Sequence, residues 1–279
     1  MKCILIPVDF NAATQSVLSY VASFCKDVPV EHVILFKNFH LPAIASILPD
    51  ANYVEDGNGR CIEEIALISS QLEEMTCLLR KLIPLPITVE KYLIYDKWLP
   101  AIQSLIDLRK PELVILGNDP HAEINDGIIA EKIIPFSKSS TVSVLIVPID
   151  AVYKKLNRVL IPTSFENMAR LRLMQKLCIS NAWLHATMLV LNVDTTGKYM
   201  MVRDEHVQLL NEYLKGYHYQ ITYSAEQDIV QEILTYAKKS DVQLIMALPG
   251  KHSFLHGLIH KSVTETFALN AHHPVLLLK

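Results

Sequence analysis

Two segments of this 279-residue chain, more than half its length apart, spell nearly the same strand end and turn. Cys3-Ile4-Leu5-Ile6-Pro7 runs into Val8-Asp9-Phe10, and Arg158-Val159-Leu160-Ile161-Pro162 runs into Thr163-Ser164-Phe165, at an offset of 155 residues from Pro7 to Pro162. A repeat of this length restricts the fold to one unit used twice. Each segment leads into a helix-like stretch with Asn at the N-cap, Asn11 to about Cys25 and Asn167 to about Ser180, and then into a short apolar run, Val33 to Phe36 and Leu189 to Leu191. Further on, Leu113-Val114-Ile115-Leu116-Gly117 lies over Gln243-Leu244-Ile245-Met246-Ala247, and the closing runs are Val142 to Val147 and Pro274 to Leu278. The offset from Gly117 to Ala247 is 130, so the first copy carries 25 extra residues, which fall between its second and third strands. The segment from His40 to Arg60 holds Pro42, Pro49, Gly57 and Gly59 among Asp, Glu and Asn, which predicts a loop, with a short helix at its apolar start, Leu41 to Leu48.

Each copy reads as strands of near-continuous apolar residues separated by amphipathic helices. That alternation predicts parallel strands covered on both faces, because parallel neighbours need crossover connections. The fold class is therefore α/β, with two tandem doubly wound parallel-sheet domains over residues 1–150 and 151–279, the first bearing the extra segment at about 40–60. In such sheets ligands sit beyond the carboxyl ends of the strands, where the strand order reverses. Asp9, Gly117, Ser164 and Ala247 fall at such ends.

Composition narrows the function. Hydrophobic residues make up 51% and charged residues 20%, the profile of a folded, apolar globular protein. A net charge of −3 with no basic stripe argues against nucleic acid as a partner. No apolar run reaches membrane-spanning length, and Pro7 and Asp9 cut the first one short of a signal segment, so the chain reads as cytoplasmic. Five cysteines, odd in number and without a C-x-x-C pair, read as reduced thiols. The charges at Glu90-Lys91 and Asp96-Lys97 read as solvated faces.

On these residues the chain resembles the universal stress protein family in its tandem form, a family of the adenine nucleotide alpha hydrolase-like fold. Ile4 to Phe10 is similar to the family's first strand and the Asp that follows it. Ala130-Glu131-Lys132-Ile133 through Val147, and Lys261-Ser262-Val263-Thr264-Glu265 through Leu277, are similar to its closing helix and strand in both copies. Nucleotide-binding members carry Gly-x2-Gly-x9-Gly-Ser/Thr after the fourth strand, where glycines let phosphates approach the backbone N–H groups at a helix start. The first copy reads Gly117-Asn118-Asp119-Pro120, then six residues, then Gly127-Ile128: one glycine is Pro, the loop is shorter, and the hydroxyl is gone. The second reads Ala247-Leu248-Pro249-Gly250, then ten residues, then Lys261-Ser262: it keeps the hydroxyl and loses two glycines. The Asp that in the family contacts the nucleoside is Asp9 in the first copy and Ser164 in the second.

The resemblance implies candidate ligand residues Pro7, Val8, Asp9, Gly117, Asn118, Pro120 and Gly127 in the first copy, and Thr163, Ser164, Ala247, Gly250, Lys261 and Ser262 in the second. ATP or AMP is the cofactor it would bring, weakened by the degenerate loops and by Asp119, Glu123 and Asp126, which repel a polyphosphate. It also implies that the two copies pair through their closing strands, with a homodimer of chains as a further option. His252, His256 and His260 are spaced as a three-His metal face on a continuous helix, yet they fall in the loop region and are interrupted by Gly257, so packing and an anion site beside Lys251, Lys261 and Ser262 compete with metal. No nucleophile or acid–base pair is placed beside Asp9, Asp119 and Asp126, which favours a non-catalytic stress-response module over a small-ligand or adenine-nucleotide sensor, and both over a weak ATP hydrolase.

Overall fold

The computed structural model describes residues 1–39, 51–119, 133, 135–137, 139–163, 185–193, 204–247 and 272–279, with backbone alone for 51–61, 204 and 206. The first half runs β1 (Cys3–Pro7), α1 (Ala12–Asp27), β2 (His32–Phe39), α2 (Ala51–Leu82), β3 (Thr88–Tyr95), α3 (Trp98–Arg109), β4 (Leu113–Asn118) and β5 (Ser143–Pro148). The second runs β6 (Arg158–Thr163), β7 (Thr187–Val193), α4 (Asp204–Tyr213), β8 (His218–Ser224), α5 (Ile229–Lys239), β9 (Leu244–Ala247) and β10 (Val275–Leu277). The second helix-like stretch expected of the repeat, from Asn167, lies outside the described residues.

All ten strands form one sheet in the order β3-β2-β1-β4-β5-β10-β9-β6-β7-β8. Every neighbouring pair is parallel except β5 with β10, which is antiparallel, with Leu145 opposite Leu276. The closing strands thus pair within the chain, as the resemblance implied. The inner strands β1, β4 and β6 are buried on both faces, so they show continuous apolar runs without period-two alternation. α1 forms where the repeat placed it: the Asn11 side chain accepts from the Thr14 N–H at 2.9 Å as an N-cap. Its inner face buries Val17, Val21, Phe24 and Val28 before Pro29 turns the chain.

Two apolar cores lie on opposite faces of the sheet, and both cross the β5–β10 junction. One face buries Leu145 and Leu276 with α1 residues, Leu72 and Leu79 of α2, and Leu210 of α4. The other buries Val144, Ile146, Val275 and Leu277 with residues of α3 and α5. The segment joining the halves straps the first core. Leu156 is buried, and the Tyr153 ring stands edge-on to Tyr20 and Phe24 with centroids 5.3 and 5.8 Å away, its hydroxyl donating to Asp27 Oδ2 at 3.0 Å.

Strand pairing locates the extra residues of the first half. Cys3 pairs with His32 and Arg158 with Thr187, so the offset of 155 holds through the second strand. His32 pairs with Thr88 and Thr187 with His218, so it has fallen to 130 by the third. Among the described residues α2 has 32 and α4 has 10. The loop expected over 40–60 is corrected accordingly, since residues 51–60 belong to α2 while 40–50 lie outside the described residues. Leu72, Thr76, Leu79 and Ile83 bury one face of α2 and its following turn, and a helix nucleated there extends backward at little cost per residue. Gly57 and Gly59 cost about 1 kcal/mol each in helix, too little to stop it.

The β3 charges are also engaged rather than merely solvated. The Arg109 guanidinium, in the last turn of α3, grips Glu90 with both arms, Nη1 to Oε2 at 2.5 Å and Nη2 to Oε1 at 2.7 Å, and lies over the Tyr92 ring. Its hydrogen bonds hold the Glu90 carboxyl below the ordinary range. Lys91 meets Glu73 of α2 at 2.5 Å. α2 and α3 are therefore each tied to the outer strand by an ion pair.

Replacing Tyr153 with Ala should lower the free energy of unfolding by about 2–4 kcal/mol, because it deletes a partly buried ring and two aromatic contacts. Tyr153→Phe should lose only the hydrogen bond to Asp27, about 1 kcal/mol. Urea melts of the two variants check this; equal losses would show that the ring contacts do not hold the strap.

Candidate functional site

The strand order reverses between β1 and β4, and beyond their carboxyl ends lies a small pocket lined by Pro7, Asp9, Thr14, Trp98, Leu116, Gly117 and Ile133. Its residues are placed by the β1–α1 turn. The Val8 N–H donates to Phe36 O at 2.8 Å and prolongs the register past Pro7. Phe10 then takes a left-handed conformation, φ 57°, which turns the chain into the Asn11 cap, and the Asp9 N–H donates to Thr14 Oγ1 at 3.1 Å. Asp9 is thereby held at the mouth of the switch point, as its position in the repeat predicts.

Its carboxylate is already engaged. Lys37 Nζ donates to Asp9 Oδ1 at 2.7 Å, and the same ammonium stands 5.2 Å from the centroid of the Phe10 ring. The two side chains are only 17% and 16% exposed, so this pair is better shielded from water than an ordinary surface bridge. Lys37 is the residue that sequence reasoning missed. The signal was in the register: β1 and β2 are parallel with Pro7 opposite Phe36, which sets Lys37 one step on, beside Val8 and Asp9. In the second half the equivalent positions, at the offset of 155, hold Ser164 and Asn192, so the two charges are replaced together.

Gly117 has a packing reason. A Cβ built there would lie 2.7 Å from the backbone oxygen of Ala13 and 3.0 Å from Val17 Cγ2, so α1 can approach β4 only over a glycine. Asn118 is buried, and its carbonyl accepts from the Ile149 N–H at 2.8 Å, tying β4 to the start of the linker. Ser16 Oγ of α1 donates to Ile149 O at 2.6 Å in the same corner. Pro120 and Gly127 lie outside the described residues.

In the second half Thr163 is buried at the end of β6, and Ser164, Gly250, Lys261 and Ser262 lie outside the described residues, as do His252, His256 and His260. Ala247 is described, and its equivalence to Gly117 is corrected. Ile4 pairs with Leu113 while Val159 pairs with Leu244, an offset of 131 for this strand, so Ala247 stands where Leu116 does and the position of Gly117 falls to residue 248. The sheet faces agree: Ala247 and Leu116 both belong to the core beneath α3 and α5. Matching the small residues of two apolar runs slipped the register by one and moved Ala247 to the wrong face. Among the described residues no group of three His, Cys, Asp or Glu side chains could hold a metal ion, and no helix is long and apolar enough to cross a membrane.

No family model matches the sequence, and no curated protein does. Solved structures do match the fold over nearly the whole chain. A universal stress protein from Archaeoglobus fulgidus DSM 4304 superposes with a TM-score of 0.62 at 16% identity, covering 99% of this chain and 96% of that one. A protein of Pseudomonas aeruginosa UCBPP-PA14 titled as of the same kind gives 0.59 at 14% identity over 100% and 92%, and a functionally unknown protein of Pseudomonas aeruginosa PAO1 gives 0.55 at 14% over 99% and 92%. The chain has the universal stress protein fold.

Gly117→Ala should destabilise the protein by about 1–3 kcal/mol, since the added methyl meets backbone that cannot rotate away. Chemical denaturation of the variant tests this. Unchanged stability would mean that α1 does not pack on β4 as described.

Proposed function

We propose that this chain is a non-catalytic stress-response module of the universal stress type, built as a tandem of domains over residues 1–150 and 151–279 that form an internal pseudo-dimer, and that its nucleotide-type positions now serve the fold. The observation that carries the reading is the Lys37–Asp9 ion pair at 2.7 Å. The carboxylate that the family resemblance assigns to the nucleoside is spent on a lysine of the neighbouring strand. A nucleoside bonding to Asp9 Oδ1 would have to displace an ammonium from a shielded pair. Gly117, the one glycine of the first loop that falls within the described residues, is required by the contact with Ala13. The protein is proposed to work in the cytoplasm, without nucleic acid or membrane as a partner.

One feature supports a sensor as the second reading. Trp98, Leu116 and Ile133 give the first-half pocket an apolar wall opposite Asp9, a surface on which a small uncharged or cationic ligand could rest.

Isothermal titration of the full chain with ATP, AMP and cyclic nucleotides decides between them. The proposal expects no saturable heat up to about 1 mM, a concentration at which half-saturation corresponds to about −4 kcal/mol. Micromolar binding to the wild-type chain, abolished by Asp9→Ala, would overturn it. Native mass spectrometry of freshly purified protein extends the test to ligands not on that panel, and a retained small molecule would favour the sensor.

A further inference from the structure

The ten-stranded sheet has two outer edges, and the sequence treats them differently. β3 carries Glu90 and Lys91, each held by an ion pair to a covering helix. Charges on an edge strand are a common defence against pairing with another chain. β8 has none: His218-Tyr219-Gln220-Ile221-Thr222-Tyr223-Ser224 contains no Asp, Glu, Lys or Arg. Among the described residues it is paired on its β7 side only. A strand of seven residues whose outer edge is uncharged and, among the described residues, unpaired is a template for a further strand.

Its sequence also says which strand fits. Read antiparallel to itself about Ile221, Tyr219 falls opposite Tyr223, Gln220 opposite Thr222, and Ile221 opposite its own copy. Tyr219, Ile221 and Tyr223 share the face that packs on the first core and remain partly exposed there. Thr222 points to the other face, where its hydroxyl shares a 2.9 Å hydrogen bond with Tyr236 of α5. A two-fold axis normal to the sheet, midway between the two copies of Ile221, keeps each face on its own side. Aromatic then meets aromatic, amide meets hydroxyl, and no like charges are brought together.

We propose that β8 is a homodimerisation edge whose occupant is the β8 strand of a second copy, antiparallel and centred on Ile221. This is independent of whether the first-half pocket binds a ligand. A single strand pair is a small interface, so the dimer forms reversibly and with concentration.

Sedimentation equilibrium of the full chain over a wide concentration range is the test. The expected result is a monomer–dimer equilibrium whose dissociation constant rises at least about tenfold in Ile221→Lys, with circular dichroism melting to show that the variant is folded. Ile221→Cys supplies a second reading that does not depend on that variant. Residues directly opposite in an antiparallel pair have Cα atoms about 4.5–5.5 Å apart, within disulfide reach. With oxidised glutathione as electron acceptor, Ile221→Cys should therefore give a disulfide-linked dimer beyond the wild-type level, and Lys91→Cys on the other edge should not. A monomer at every concentration overturns the proposal. So does a dimer that Ile221→Lys leaves unchanged, or an Ile221→Cys chain that does not cross-link.

Discussion

The antiparallel pairing of β5 with β10 is the contact on which the rest of the architecture depends. Each half alone would end its sheet in a largely buried, mostly apolar strand with one row of peptide groups unpaired. Such an edge is both costly and sticky. Joining the two closing strands satisfies both rows at once and lets the cores on either face continue from one half into the other. The linker reinforces the junction on one face, where Tyr153 and Leu156 close over Leu113 and Leu145 of the first half and Leu244 and Leu276 of the second. Leu113 with Leu244, and Leu145 with Leu276, are equivalent positions under the offset of 131, so the strap crosses where the two halves mirror one another.

That single reversal also separates the two switch points. Because the strands of one half run opposite to those of the other, the carboxyl ends of β1 and β4 lie at one end of the strands and those of β6 and β9 at the opposite end. The residues at the two switch points differ. The first half holds a Lys37–Asp9 pair where the second has Asn192 and Ser164. Burying either charge alone would be costly, and neither half does so at these positions.

Much of this was legible in the sequence, and the reasons are physical. Strands buried on both faces must be apolar throughout, so β1, β4 and β6 stood out as runs, and the equal spacing of those runs carried the repeat, the place of the 25 extra residues and the Asn11 cap. The same property hid other features. A run without alternation does not tell its two faces apart, which is why Ala247 was set against Gly117 instead of Leu116. Residues 51–60 carry glycines and polar side chains suited to a loop, yet helix propagates through them from a well-packed segment further on. Lys37 reaches Asp9 across two strands, and the ion pairs of Glu90 and Lys91 join elements distant in the chain. Contacts of that kind follow from register and packing, which composition does not encode.

Native-state hydrogen exchange at the junction tests most directly whether the halves form one cooperative sheet. The amides of β5 and β10 that bond across Leu145 and Leu276 should exchange only with global unfolding, with the same free energy of opening as the amides of β1 and β6. Exchange at the junction through an opening several kcal/mol cheaper than that of β1 and β6, with the halves melting in separate transitions, would contradict the account.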